Sequence, residues 1–196
     1  CSYGSGLHQL KRDSLAISQW EQAISLSLKQ ANPVTASAIA GLIGDCYQEL
    51  GNTEKSYVAY DSALVYDKSN VLVLNNYAYY LSCENRDLER AERMSGRAVK
   101  SDPNNFVFLD TYAWICFKLG EYTMASLYIE QAYNHGGGEV SELLEHYGDI
   151  MYKTGEPKER YLSMWKKALE LIEKNKEEYK GIEKLKLKVK TESYVE

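Results

Sequence analysis

Apolar and polar positions along this chain follow a helical period, and the periodic runs come in matched pairs. From Phe106 to Gly138, FVFLDTYAWICFKLGEYTMASLYIEQAYNHGGG holds two amphipathic runs joined by LGEY. Small residues mark the frame: Ala113 lies in the first run, and Ala125 and Ala132 follow it at intervals of twelve and seven. Gly44, Ser56 and Ala63 repeat those intervals within Ser37–Asn70. Ala78, Ala91 and Ala98 repeat them with one extra residue in the turn, and Gly148 and Ala168 close the series, again with one extra. A unit of about 34 residues, with two helices and a short turn, is the signature of stacked helical hairpins. Helices approach closely only where one offers Gly, Ala or Ser to a bulky residue of the other. The predicted fillers are Tyr60, Leu74, Tyr77, Leu109, Tyr112, Ile129, Leu144, Tyr147 and Trp165.

Start and stop signals fit this frame. Asp13 reads as an N-cap for a helix whose stripe is Leu15, Ala16, Ile17, Trp20, Ala23 and Ile24, and Pro33 opens the next unit. Gly51, Gly120 and Gly155 each follow a helical run and can take the left-handed conformation that closes it, with Asn85 in that place in the third unit. Asp102-Pro103-Asn104 and Gly136–Gly138 break the chain between units. The expected organisation is a single array over 1–196: an incomplete first repeat (1–36), repeats 37–70, 71–105, 106–140 and 141–172, and a capping segment 173–196. In that segment Ile182, Leu185 and Val189 are expected to cover the exposed face of the last hairpin. The alternation in Lys184 to Lys190 leaves a strand open there.

Composition narrows the partners. Hydrophobic residues make up 44% of the 196, with only three prolines, so the chain can fold, and 17 tyrosines can bury a ring while keeping the hydroxyl wet. Net charge is −5, and residues 1–170 hold 16 basic against 22 acidic side chains, which argues against nucleic acid. No run of about 18 apolar residues occurs, so no membrane-spanning helix is predicted. Cys46, Cys83 and Cys116 are spaced 37 and 33 residues apart, without a C-x-x-C pair, and read as core or edge thiols. Cys1 before Ser resembles the first residue of a mature bacterial lipoprotein. The repeat frame instead puts Gly4 inside a helix and favours a fragment of a longer chain.

These units resemble the tetratricopeptide repeat (TPR), whose pattern has Gly or Ala in the first helix, Ala twice in the second, and Pro before the next unit. The resemblance covers about residues 13–170. Ser56 and Tyr161 stand where the family prefers Ala, and Lys68 and Gly137 where it prefers Pro; Tyr161 is expected to open the last packing interface. LDTYAW with KLGEY, followed by ELLEHYGDIMYKTGE and WKKALEL, is similar to the C-terminal part of long bacterial cell-envelope TPR proteins, leaving envelope, periplasm and cytoplasm as candidate compartments. The resemblance implies an all-α, right-handed superhelical solenoid of antiparallel hairpins with a C-terminal capping segment, whose first helices line a concave face.

On that frame the outward residues of the first helices are Gly41, Asp45 and Glu49; then Asn75, Tyr79 and Cys83; then Asp110, Trp114 and Lys118; then Glu145, Asp149 and Lys153, with Phe117 and Tyr152 beside them. Gly41 and Asp45 stand where chaperone-tail-binding members carry Lys and Asn, so a carboxylate ligand is disfavoured. The expected groove is acidic and aromatic, suited to a peptide or protein segment with basic and apolar side chains. Self-association through exposed repeat ends, or a rigid spacer in a larger protein, is the alternative.

Enzyme and cofactor signatures are weak. Glu142, His146 and Asp149 lie at i, i+4 and i+7, a spacing that could hold a metal, but a lone His between acids reads as a satisfied surface residue. HGGGE lacks the strand and helix-Lys context of a phosphate loop and reads as a helix stop. The expectation is a non-catalytic binding protein without cofactor or metal.

Overall fold

The computed structural model describes residues 32–195, together with Gln22 and residues 24–26, which are helical. Gly4, the Asp13 cap and the stripe from Leu15 to Ala23 lie outside the described residues. The order is α1 (Pro33–Glu49), α2 (Thr53–Tyr66), α3 (Val71–Cys83), α4 (Leu88–Ser101), α5 (Phe106–Lys118), α6 (Tyr122–Asn134), a 3-10 turn (Gly137–Glu139), α7 (Ser141–Lys153), α8 (Lys158–Asn175) and α9 (Ile182–Thr191). The described residues contain no strand.

Local chemistry sets these boundaries. Asparagines open four of the helices: Asn32 accepts from the Thr35 amide (3.1 Å), Asn52 from Lys55 (3.4 Å), Asn70 from Val73 (3.2 Å) and Asn105 from Val107 (3.1 Å). Gly51, Gly120, Gly155 and Asn85 all have positive φ, at 70°, 79°, 76° and 50°. Each lets the next amide fold back onto the helix end: Asn52, Arg86, Glu121 and Glu156 donate to the carbonyls of Tyr47, Leu81, Cys116 and Met151. One closure, used four times, produces the short hairpin turns.

The chain divides into two compact units, 1–77 and 78–196, with the boundary inside α3. Hairpin repeats contact their sequence neighbours, so a boundary can fall inside a helix shared by two hairpins. In the first unit α1 packs on α2, and a Cβ on Gly44 would lie 2.6 Å from the Tyr60 ring. Tyr60 in turn stacks on Tyr77 at 5.1 Å. Gly41, expected in the groove, is a packing contact instead: a Cβ there would meet Val73 at 2.7 Å.

In the second unit α5 packs on α6, α7 on α8, and α9 on α8, around a core containing Leu109, Ile129, Leu144 and Trp165. Ala91, Ala98, Ala113, Ala125, Ala132 and Ala168 are fully buried, and Gly148 lies directly against the Trp165 indole. Tyr161 does not open the last interface. It is buried, packs on Trp165 at 5.1 Å and donates to the Glu192 carbonyl at 3.2 Å. Residues 184–190 are helical, and the buried residues of α9, Leu185 and Lys188, are three apart as a helix face requires. Ile182 and Val189 pack against the same core, as a covering segment should.

Candidate interaction groove

In the second unit, α7 carries Glu142, Glu145, His146 and Asp149 at helical spacing, and each is matched by a group from another element. His146 Nδ1 meets Asp110 Oδ1 of α5 at 2.9 Å, and its ring stacks on Trp114 with centroids 4.0 Å apart. The other stacking partner of Trp114 is Phe117, at 4.8 Å, and Lys118 Nζ sits 4.8 Å from the Trp114 centroid. Glu142 accepts from the Tyr79 hydroxyl of α3. Burial raises the Tyr79 phenol far above its ordinary range, reinforced by Cys83 and Glu142, so it stays a donor.

The lower half of the face is closed by the chain itself. Lys188 of α9, 3% exposed, places Nζ 2.6 Å from both Glu145 Oε1 and Asp149 Oδ2. Trp165 Nε1 donates to the other Asp149 oxygen at 2.9 Å, and the Tyr179 hydroxyl donates to the other Glu145 oxygen at 2.5 Å. Burial pushes the Asp149 carboxyl up to about 6 although Lys188 opposes it. Tyr194 packs on Phe117 at 5.9 Å, with Lys153 Nζ 4.5 Å and Lys188 Nζ 5.4 Å from its ring.

A cavity of about 660 Å³ remains between these elements, lined by Tyr79, Cys83, Trp114, Lys118, Glu142, Glu145, His146 and Asp149 on one side and by Tyr179, Lys184, Lys188 and Tyr194 on the other. Tyr79, Trp114, Lys118, Glu145 and Asp149 line this one cavity, with Asp110 joined to them through His146. Four expected groove residues are not open. Phe117 is core; Glu145 and Asp149 are sealed under Lys188; Asn75 is buried in the first unit. Trp114 is also no free-standing anchor, since it is half-buried and its ring stacks on both Phe117 and His146. Tyr152 meets Tyr161 edge to face at 5.3 Å, and the free thiol Cys83 is exposed. In the first unit Asp45 accepts from Tyr60 (2.5 Å) and Asn76 (3.1 Å) and so ties three helices together, while Glu49 is exposed.

The groove is less acidic than its sequence. Lys188 offsets Glu145 and Asp149, and His146 is a cation. Burial pulls the His146 pKa down, but Asp110, by charge and hydrogen bond, and Glu142 and Glu145 outweigh it and hold it at about 9. Of Glu142, His146 and Asp149, at metal-like spacing, Glu142 has one oxygen engaged by Tyr79, His146 one nitrogen engaged by Asp110, and Asp149 both oxygens engaged by Trp165 and Lys188.

The raised pKa has a sign. A histidine whose folded value exceeds its unfolded 6.5 stabilises the protein fully below about pH 6.5, and that stability is lost as the pH climbs through about 9. The loss is at most about 3 kcal/mol. Melting temperature should fall between pH 6.5 and 9, and His146→Gln should flatten that slope. A variant slope as steep as wild type would refute this role for His146.

Solved structures of other proteins match the fold over most of the chain. TTC0263, a thermophilic TPR protein of Thermus thermophilus, superposes with a TM-score of 0.63 over 97% of this chain and 95% of its own, at 17% identity. The fold is that of tetratricopeptide-repeat proteins. YrrB, described as a TPR protein with an unusual peptide-binding site, gives a TM-score of 0.58 at 15% identity over 76% of this chain and 74% of its own. PilF of Pseudomonas aeruginosa gives 0.57 at 16% identity, covering 91% and 85%. No family model matches the sequence, and no curated protein matches it.

No described helix is long and apolar enough to cross a membrane. Among the described residues no His/Cys/Asp/Glu group is arranged to hold a metal.

Proposed function

We propose that this chain is a non-catalytic protein-binding scaffold, and that the inner face of α3, α5 and α7 in the second unit takes a peptide or protein segment with basic and apolar side chains. The observation that carries the reading is the cavity of about 660 Å³ where inner-face residues of three successive hairpins meet, aromatic edges and carboxylates together. Aromatic edges anchor apolar groups, and Glu142 steers and pairs a cation. The likeness to YrrB supports a peptide as ligand, since that protein is described by its peptide-binding site.

A displayed random-peptide library selected against the full chain tests this. Enriched sequences should combine Lys or Arg with aliphatic or aromatic residues. Trp114→Ala should weaken their binding about 30-fold, some 2 kcal/mol. Because Trp114 stacks on two neighbouring rings, Phe117 and His146, Trp114→Ala should also lower the melting temperature, and Trp114→Phe should restore stability better than affinity. Enrichment of acidic peptides, or affinity indifferent to Trp114, would overturn the reading.

A further inference from the structure

The C-terminal helix α9 performs, within the chain, the binding that the groove is proposed to perform on a partner. Of its ten residues two are buried, Leu185 and Lys188. Lys188 supplies the cation to Glu145 and Asp149, and Leu185 supplies the apolar contact to the core cluster. The connection to α8 is short and irregular: Lys176, at φ 55°, closes α8, residues 177–179 have no regular structure, and Glu177 is held by Ser141 and Asn175. A ten-residue helix has little stability of its own. A buried ion pair also gives back much of its attraction as desolvation, so docking leans on a single leucine and partly buried neighbours. Segments attached this thinly open well below the global unfolding free energy.

We propose that residues 177–195 are a ligand in cis, and that the groove's external partner is a helix carrying the same chemistry, an aliphatic residue followed three positions later by lysine, which enters by displacing α9. This rests on the scaffold reading and makes its partner specific. The basis is charge complementarity: two buried carboxylates converge on one ammonium, Asp149 oriented by Trp165 of α8 and Glu145 by Tyr179 of the segment itself, so that the segment supplies both a cation and a hydroxyl donor. When α9 leaves, the carboxylates face an open groove until a second lysine replaces the first. The apparent affinity for the partner is reduced by the fraction of time α9 is docked.

The test uses a labelled peptide of residues 177–195 and the full chain. Leu185→Asp undocks α9 and leaves Glu145 and Asp149 in place. That variant should bind the peptide at least tenfold more tightly than wild type does, and a peptide with Lys188→Gln should lose at least tenfold of that binding. A Leu185→Asp chain that melts cooperatively yet does not bind, or binds both peptides alike, overturns the proposal. If Leu185→Asp fails to fold, hydrogen exchange of wild type decides. Amides of 182–191 exchanging at least about 100-fold faster than those of α7 support displacement, and equal rates overturn it. A wild-type dimer abolished by Leu185→Asp would make a second copy the occupant and overturn the external partner. Should library peptides bind the undocked variant where the cis peptide does not, the scaffold reading stands and this inference alone fails.

Discussion

Ala125→Glu should abolish cooperative folding of the second unit, or lower its stability by more than about 4 kcal/mol. Ala125 is fully buried, in the cluster that holds Leu109, Ala113 and Cys116. Its small size lets α6 lie close to its neighbours. A glutamate there brings both excess volume and a carboxylate with no cation to meet it, and protonating it costs further free energy at neutral pH. Ala125→Ser, which adds one hydroxyl, should cost only about 1–2 kcal/mol. Chemical denaturation followed by circular dichroism reads both. A glutamate variant melting within a few degrees of wild type would mean that the small-residue frame misplaces this helix contact.

Trp165→Ala should cost about 3–5 kcal/mol. The indole is fully buried on α8, fills the space that Gly148 leaves on α7, and donates to Asp149. Removing it opens a cavity and takes a donor from a buried carboxylate. Trp165→Phe keeps most of the ring and should lose about half as much. Gly148→Ala gives a sharper check, because its effect should change sign. In wild type the new methyl runs into the indole and destabilises. In Trp165→Ala it enters vacant space and stabilises. Equal effects in both backgrounds would show that the two residues do not share a contact.

The hairpin fold was legible because its determinants are local or periodic. Gly51, Gly120, Gly155 and Asn85 are recognisable as helix stops since few residues tolerate positive φ, and all four take it. The crossing positions show up as small residues because a close contact excludes large ones, and Ala113, Ala125 and Ala132 are fully buried. The asparagine caps at Asn32, Asn52, Asn70 and Asn105 are a further local signal that the small-residue frame does not use, since their side chains satisfy helix-start amides.

The groove was legible only in part. Helical spacing puts Tyr79, Trp114 and Lys118 on faces that converge on one cavity, but it gives Glu145 and Asp149 as open carboxylates. What covers them comes from about forty residues along the chain, and no period links Glu145 to Lys188. One signal existed: Lys188 falls on the same helical face as Leu185, an apolar stripe where a cation needs a partner. His146 reads in the sequence as a satisfied surface residue, since nothing in the order of residues shows that α5 brings Asp110 and Trp114 against it.

The sequence by itself determined where helices start, stop and cross, because cap chemistry, backbone conformation and side-chain volume act within a turn or repeat at a fixed interval. Only the tertiary structure decided which charges are free. The state of a carboxylate depends on what lies within a few ångströms of it, and here those neighbours come from a helix that sequence periodicity could place on the end of the array but not over Glu145 and Asp149.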